Sequence, residues 1–293
     1  MLVQLNSDPR DTPAHGCVVS IGVFDGVHRG HRRVLEKLRE TGARLALPTV
    51  VVTFDPHPRL VLQPHKSLPM LVSLRRRLSL LGATGNVDRY VVLPFDQRQR
   101  EQSVDEFVQE TLVGQLGMRA LVVGENFVCG RGRVGTVSYL RELGKRLGFA
   151  VHAVKMDMPQ GDETGTPSSS TEVRRLIQAG QLSDAAALLG RPHELECVAA
   201  EGLAQDSCCE LMLPAGMCIP AAGTYTARLS MHDGLSTRTS MRLSLSNDAG
   251  SLRCFLYAVN GRLELGPGTP VIAQFLDTIG SGAASNLGRV MAA

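Results

Sequence analysis

Along its first half the chain alternates short apolar runs with amphipathic stretches. Residues 18–23 form a β-branched run with Gly22 and Gly26 at its exit, a pattern that predicts a buried strand. From Gly30 onward Val34, Leu35 and Leu38 recur at helical spacing, with Arg32, Arg33, Glu36 and Lys37 between them, so an amphipathic helix follows. The alternation continues. Residues 46–54, 90–95, 120–123 and 150–156 read as strands, and residues 71–81, 103–116 and 139–147 as helices. The helix at 71–81 presents apolar positions 71, 74, 78 and 81, which assigns Arg75, Arg76 and Arg77 to its solvated face. Ser103 and Glu106 make a capping box at the start of the next. Strands alternating with helices from 18 to 156 imply an α/β fold, a doubly wound parallel sheet of Rossmann-like type.

After residue 194 the texture changes. Residues 223–230, 238–245, 252–259 and 271–275 alternate Thr, Ser and Leu between glycine-containing turns, which predicts a small antiparallel barrel or sandwich. Two domains are therefore expected, 1–190 and 191–293, with a flexible segment at 159–167 and a loose tail at 280–293.

Charge sharpens the division: residues 1–190 carry 24 Lys and Arg against 19 Asp and Glu, and residues 191–293 carry 7 against 9. A mildly basic first domain suits a small anionic ligand but lacks the dense basic patches of a nucleic-acid binder. No tryptophan is present and aromatics make up 4%, which argues against a stacking platform for single strands. The polar N-terminus and the lack of a membrane-length apolar run point to a cytoplasmic protein. Seven cysteines without a CxxC pair read as reduced thiols, with no metal site among them.

Four stretches carry chemistry. In the first, Gly22, Phe24, Asp25, Gly26, His28, Gly30 and His31 occupy a strand-to-helix turn. A helix N-terminus offers unpaired N–H groups and a positive dipole end, glycines let a phosphate approach, and two imidazoles add donors. The second, Phe54-Asp55-Pro56-His57-Pro58, leaves a strand at the edge where parallel sheets bind ligands; its prolines fix His57, which from position alone reads first as a rigid-turn residue. In the third, residues 124–133, Asn126 and Phe127 precede a run of glycine and arginine that reads as a phosphate loop or as a surface turn. The fourth places Ser169, Ser170 and Thr171 before Val173 and Arg174, with Ser170 or Thr171 as the helix cap and Arg174 one turn in.

The pattern GxFDGxHxGH over residues 22–31 resembles the HxGH signature of the nucleotidylyltransferase superfamily, and its FDGVH form is most similar to the adenylyltransferase half of the bacterial bifunctional riboflavin kinase/FAD synthetases. TFDPHPR at 53–59 resembles the family's flavin-lining block, and Asn126, Phe127 and Gly130 match a third block in which Cys129 replaces the usual aromatic. The run at 169–174 matches S-[ST]-T-x-[IV]-R, and the resemblance continues to about residue 193 through Gly190-Arg191-Pro192. The resemblance implies a riboflavin kinase barrel in the remainder. Residues 220–229 are similar to its P-x-x-G-x-Y strand, but the kinase motif G-x-P-T-A-N has no counterpart after residue 193.

What the resemblance implies is FMN adenylyltransferase chemistry without kinase activity: an FMN phosphate oxygen attacks the α-phosphorus of ATP, giving FAD and pyrophosphate. A phosphate monoester is already largely dianionic at neutral pH, so no general base is needed, and donors and cations suffice. His28 and His31 are expected on the α-phosphate; Ser169, Ser170, Thr171 and Arg174 on the pyrophosphate; Asn126 and residues 54–58 at the flavin; and Mg²⁺ is expected to arrive with ATP. Two alternatives stay open, a nucleotidylyltransferase acting on a modified flavin or another phosphate monoester, and a catalytically silent flavin- or nucleotide-binding regulator.

Overall fold

The structure, a computed structural model, describes residues 2–4, 15–155, 169–200, 208–231, 237–248, 251–258 and 265–279. The expected flexible segment at 159–167 and tail at 280–293 lie outside these residues. The chain divides into two compact units, 1–68 with 74–168 and 69–73 with 169–293.

In the first unit the elements run β1 (Leu2–Gln4), β2 (Cys17–Ile21), α1 (Arg29–Leu45), β3 (Thr49–Asp55), α2 (Pro58–Leu62), α3 (Leu74–Gly82), β4 (Arg89–Pro94), α4 (Gln97–Glu101), α5 (Val104–Glu106), β5 (Met118–Gly124), β6 (Val128–Cys129), β7 (Gly135–Thr136), α6 (Val137–Leu147) and β8 (Ala150–Val154). Six of these strands pair in parallel in the order β1-β4-β3-β2-β5-β8. The expected apolar runs are strands because both faces of the sheet are covered. On one face Val18, Val51, Ala120 and Val122 pack with Leu35, Leu38 and Leu81 of α1 and α3. On the other, Val19, Val50, Val52, Leu121 and Val123 pack with Phe107, Leu112, Leu140 and Leu143. Since β3 and β5 flank β2 on opposite sides, the chain reverses its direction of winding at β2, and the carboxyl end of β2 opens at the switch point. The helix expected at 103–116 begins with its capping box but widens after α5 into a π-helix, Phe107–Gln115.

The second unit contains α7 (Ser170–Gln178), α8 (Leu182–Leu189), β9 (His193–Ala199), β10 (Cys208–Met212), β11 (Gly223–Met231), β12 (Thr237–Asp248), β13 (Ser251–Ala258) and β14 (Pro270–Ile279). Its strands close into an antiparallel barrel in the order β10-β13-β12-β11-β14-β9, the barrel form of the expected β domain. Leu195, Tyr225, Leu243, Leu256 and Phe275 fill the core, and α8 adds Leu182, Ala185, Leu188 and Leu189 to the same cluster. That shared core is why the packing boundary falls at 168/169, ahead of the expected domain boundary at 190/191. Inside this unit His193 is 2% exposed, its Nε2 lies 2.9 Å from the Cys218 carbonyl oxygen, and its ring stacks on Phe275.

The seven cysteines, all among the described residues, form no disulfide. Burial pushes the thiols of Cys17 and Cys197 up to about 12 and that of Cys129 up to about 11.

Candidate active site

The turn between β2 and α1 is built from strained backbone. Phe24, Gly26 and Val27 all have positive φ, at 55°, 78° and 43°; for β-branched Val27 this conformation is costly, and such strain concentrates at functional sites. The turn closes with the Val27 N–H donating to the Phe24 carbonyl at 3.0 Å. Gly22 leaves room for the Phe24 ring, which would lie 3.1 Å from a Cβ at that position. Phe24, Asp25, Gly26, Val27, His28 and Gly30 are all buried.

His28 is the N-cap of α1, its Nδ1 accepting the His31 N–H at 3.4 Å. That acceptor role puts the ring proton on Nε2. The rings of His28 and His31 stack 3.6 Å apart at 21°, and the Phe24 ring meets His31 edge-on at 5.2 Å. His31 is half-buried, and its Nδ1 is buried without a hydrogen-bond partner among the described residues. Burial first, then the neighbouring His28 and Arg77, hold the His31 imidazole well below the usual histidine range. The pair thus stands at a helix N-terminus with His31 held neutral, an arrangement suited to receiving an anion.

Arg77 was assigned to a solvated face; it is 2% exposed instead. Its Nη1 donates to the Val23 carbonyl at 2.9 Å and its Nη2 to the Phe54 carbonyl at 3.0 Å, which joins the ends of β2 and β3. The loop that follows β3 is therefore brought beside the histidine turn, and Thr53 Oγ1 adds a bond to the same Val23 carbonyl at 3.1 Å. In that loop His57 caps α2, its Nδ1 accepting the Arg59 N–H at 3.0 Å, with Pro56 exposed and Pro58 half-buried. Phe54 packs edge-on against Phe95 at 5.6 Å.

At the end of β5 the glycine-arginine stretch forms a short hairpin, with Val128 opposite Thr136 and Cys129 opposite Gly135. Asn126 is exposed, and Phe127 is half-buried against the core, its N–H donating to the Gly124 carbonyl at 3.0 Å. Gly130, at φ 72°, lies against Val104, whose Cγ2 would overlap an added Cβ. Gly130→Ala is therefore expected to destabilise the protein by about 1–3 kcal/mol through strain and overlap together. Urea unfolding of the variant measures this, and an unchanged midpoint contradicts it.

The fourth stretch belongs to the second unit. Ser169 caps α7, its Oγ accepting the Glu172 N–H at 3.2 Å, so the cap lies one residue before Ser170 and two before Thr171, the positions expected from sequence. Thr171 is exposed and Ser170 half-buried. Arg174, 6% exposed, donates from Nε to the Pro69 carbonyl at 2.7 Å.

Glycine-permitted turns, a helix N-terminus and paired imidazoles thus meet at the switch point of a parallel sheet, the edge at which α/β proteins of this class bind their ligands. The family of FAD synthetases matches residues 10–171, and the chain belongs to that family. The bifunctional riboflavin kinase/FMN adenylyltransferase of Pseudomonas fluorescens is 42% identical over 187 residues, which are 62% of this chain and 57% of that protein. The protein of the same name from Escherichia coli K12 is 37% identical over 183 residues, again 57% of its length, so the match spans a little over half of these relatives. The crystal structure of a macrolide-efflux protein from Streptococcus pneumoniae shares the fold, with a TM-score of 0.83 over 99% of this chain and 96% of that one at 21% identity.

Proposed function

We propose that the chain is an FMN adenylyltransferase that transfers AMP from ATP to FMN, releasing pyrophosphate and forming FAD. The observation that carries this reading is the stacked His28–His31 pair at the N-terminus of α1, in the loop that the family match covers. Two preorganised donors there stabilise negative charge developing on the α-phosphate, and the FMN phosphate needs no deprotonation to attack. Asn126, Phe127, Phe54 and the loop Pro56–Pro58 are the flavin-side residues in this reading, and Ser169, Ser170, Thr171 and Arg174 serve the pyrophosphate side. Among the described residues no three His, Cys, Asp or Glu side chains gather as metal ligands. In this reading the Mg²⁺ arrives with ATP and is held by its phosphates and water, where it offsets their charge.

The transferase machinery runs over 1–190 in this view, and 191–293 is a riboflavin-kinase-like barrel without kinase activity, since the Thr and Asn of the kinase motif are missing from it. No helix among the described residues is long and apolar enough to cross a membrane. Action in the cytoplasm on small-molecule substrates, with no nucleic acid or membrane as partner, completes the proposal.

Chromatography of products from purified protein with Mg-ATP and either FMN or riboflavin tests both halves. FAD from FMN and nothing from riboflavin is the expected result. FMN formed from riboflavin overturns the loss of kinase activity, and no FAD from FMN overturns the transferase.

A further inference from the structure

We propose that Arg77 is a positioning residue for the histidine loop: by holding the carbonyls of Val23 and Phe54 together, it fixes the exits of β2 and β3 and so the placement of His28, His31 and His57. This role deepens the adenylyltransferase reading and rests on it for the chemistry served.

Leu78, Leu80 and Leu81 already supply apolar contacts along α3, so packing alone asks only for another apolar residue at position 77. A guanidinium placed there, 2% exposed, carries a desolvation cost that a purely structural position avoids. Part of the cost is offset by the two carbonyls and by the carboxylates of Asp25 and Asp55, which favour its charge against burial. Its Nε still has no hydrogen-bond partner among the described residues. What the cation accomplishes is local to the site. It joins the backbone just before Phe24 to the backbone just before Asp55, the two points from which the histidine-bearing loops depart. Its charge also bears on His31, together with the stacked His28, and both disfavour the imidazolium. Arg77 therefore sets where the imidazoles stand, and its charge adds to burial and to His28 in keeping His31 neutral.

The test compares wild type, Arg77→Met and Arg77→Lys, each checked for folding by thermal melting. FAD formation is measured as kcat and KM separately, and His31 is titrated by NMR of its labelled ring. In Arg77→Met, kcat is expected to fall about tenfold or more, with both KM values within about threefold of wild type. Its His31 midpoint is expected to rise once the cation is gone. Arg77→Lys keeps the charge and a donor, and is expected to hold kcat within about fivefold with the His31 midpoint unmoved. A folded Arg77→Met protein with wild-type kcat and an unmoved His31 midpoint overturns the assignment. Should Arg77→Met fail to fold, Arg77→Gln, which keeps one donor and drops the charge, is read by the same measurements. Wild-type protein that makes no FAD overturns the adenylyltransferase reading by itself, and the His31 midpoints in the Met and Lys variants then decide the role of Arg77 alone.

Discussion

Alanine in place of His31 is expected to lower kcat for FAD formation by about two orders of magnitude or more, the range seen when one preorganised donor to a developing oxyanion is lost. The structure explains why the loss falls on turnover while the fold survives. The cap of α1 is made by the backbone N–H of residue 31 to His28 Nδ1, and alanine keeps that N–H. What disappears is the ring stacked on His28 at 3.6 Å and edge-on to Phe24. A melting temperature within a few degrees of wild type, alongside the collapse of kcat, is the expected pairing. Wild-type turnover in this variant removes His31 from the mechanism.

Acidification is expected to weaken the barrel through His193. Burial lowers its pKa from 6.5 to about 4, against smaller opposing effects of the Cys218 carbonyl and Glu194. Between those two values the unfolded chain takes up a proton that the folded chain refuses. Stability is therefore complete above pH 6.5, declines as the pH falls toward 4, and has no further contribution from this group below that. The full loss is about 3 kcal/mol. Urea unfolding at pH 7 and pH 4 in wild type and His193→Asn measures it, with the variant showing the smaller drop. Equal drops in the two proteins show that His193 is not the group responsible. His31, also held below its ordinary range, acts in the same direction.

The parts of this architecture that sequence reveals are those in which each residue's neighbours are implied by periodicity. A strand such as β3, with Val50 and Val52 meeting one covering layer and Val51 the other, has to be a continuous apolar run, and it is legible as one. Strand β9 was not legible. Its sequence His-Glu-Leu-Glu-Cys-Val-Ala alternates as a barrel strand does, yet His193 and Glu194 are both buried, so polarity gives no guide to its faces. Arg77 belongs to the core and not to the expected solvated face for a related reason. Its burial is stabilised by carbonyls 54 and 23 residues away along the chain, and nothing in a run of three arginines names them. The histidine turn, by contrast, is local: strand, glycines and helix lie within some twenty consecutive residues, so residue types and spacing sufficed for these, while the capping role of His28 is set by the backbone geometry. The cap of α7 was displaced by one residue because Ser169, Ser170 and Thr171 are chemically equivalent candidates, and only the backbone geometry selects among them.

The cysteines turn burial into a clock. Cys17 lies in the sheet core of the first unit, while Cys197, Cys209, Cys218 and Cys254 lie buried in the second. Thiols shielded in this way react with an alkylating reagent only when the surrounding structure opens, at a rate set by the free energy of that opening. Mass-resolved alkylation of the native protein thus reads the opening of each unit separately, with no probe engineered into either.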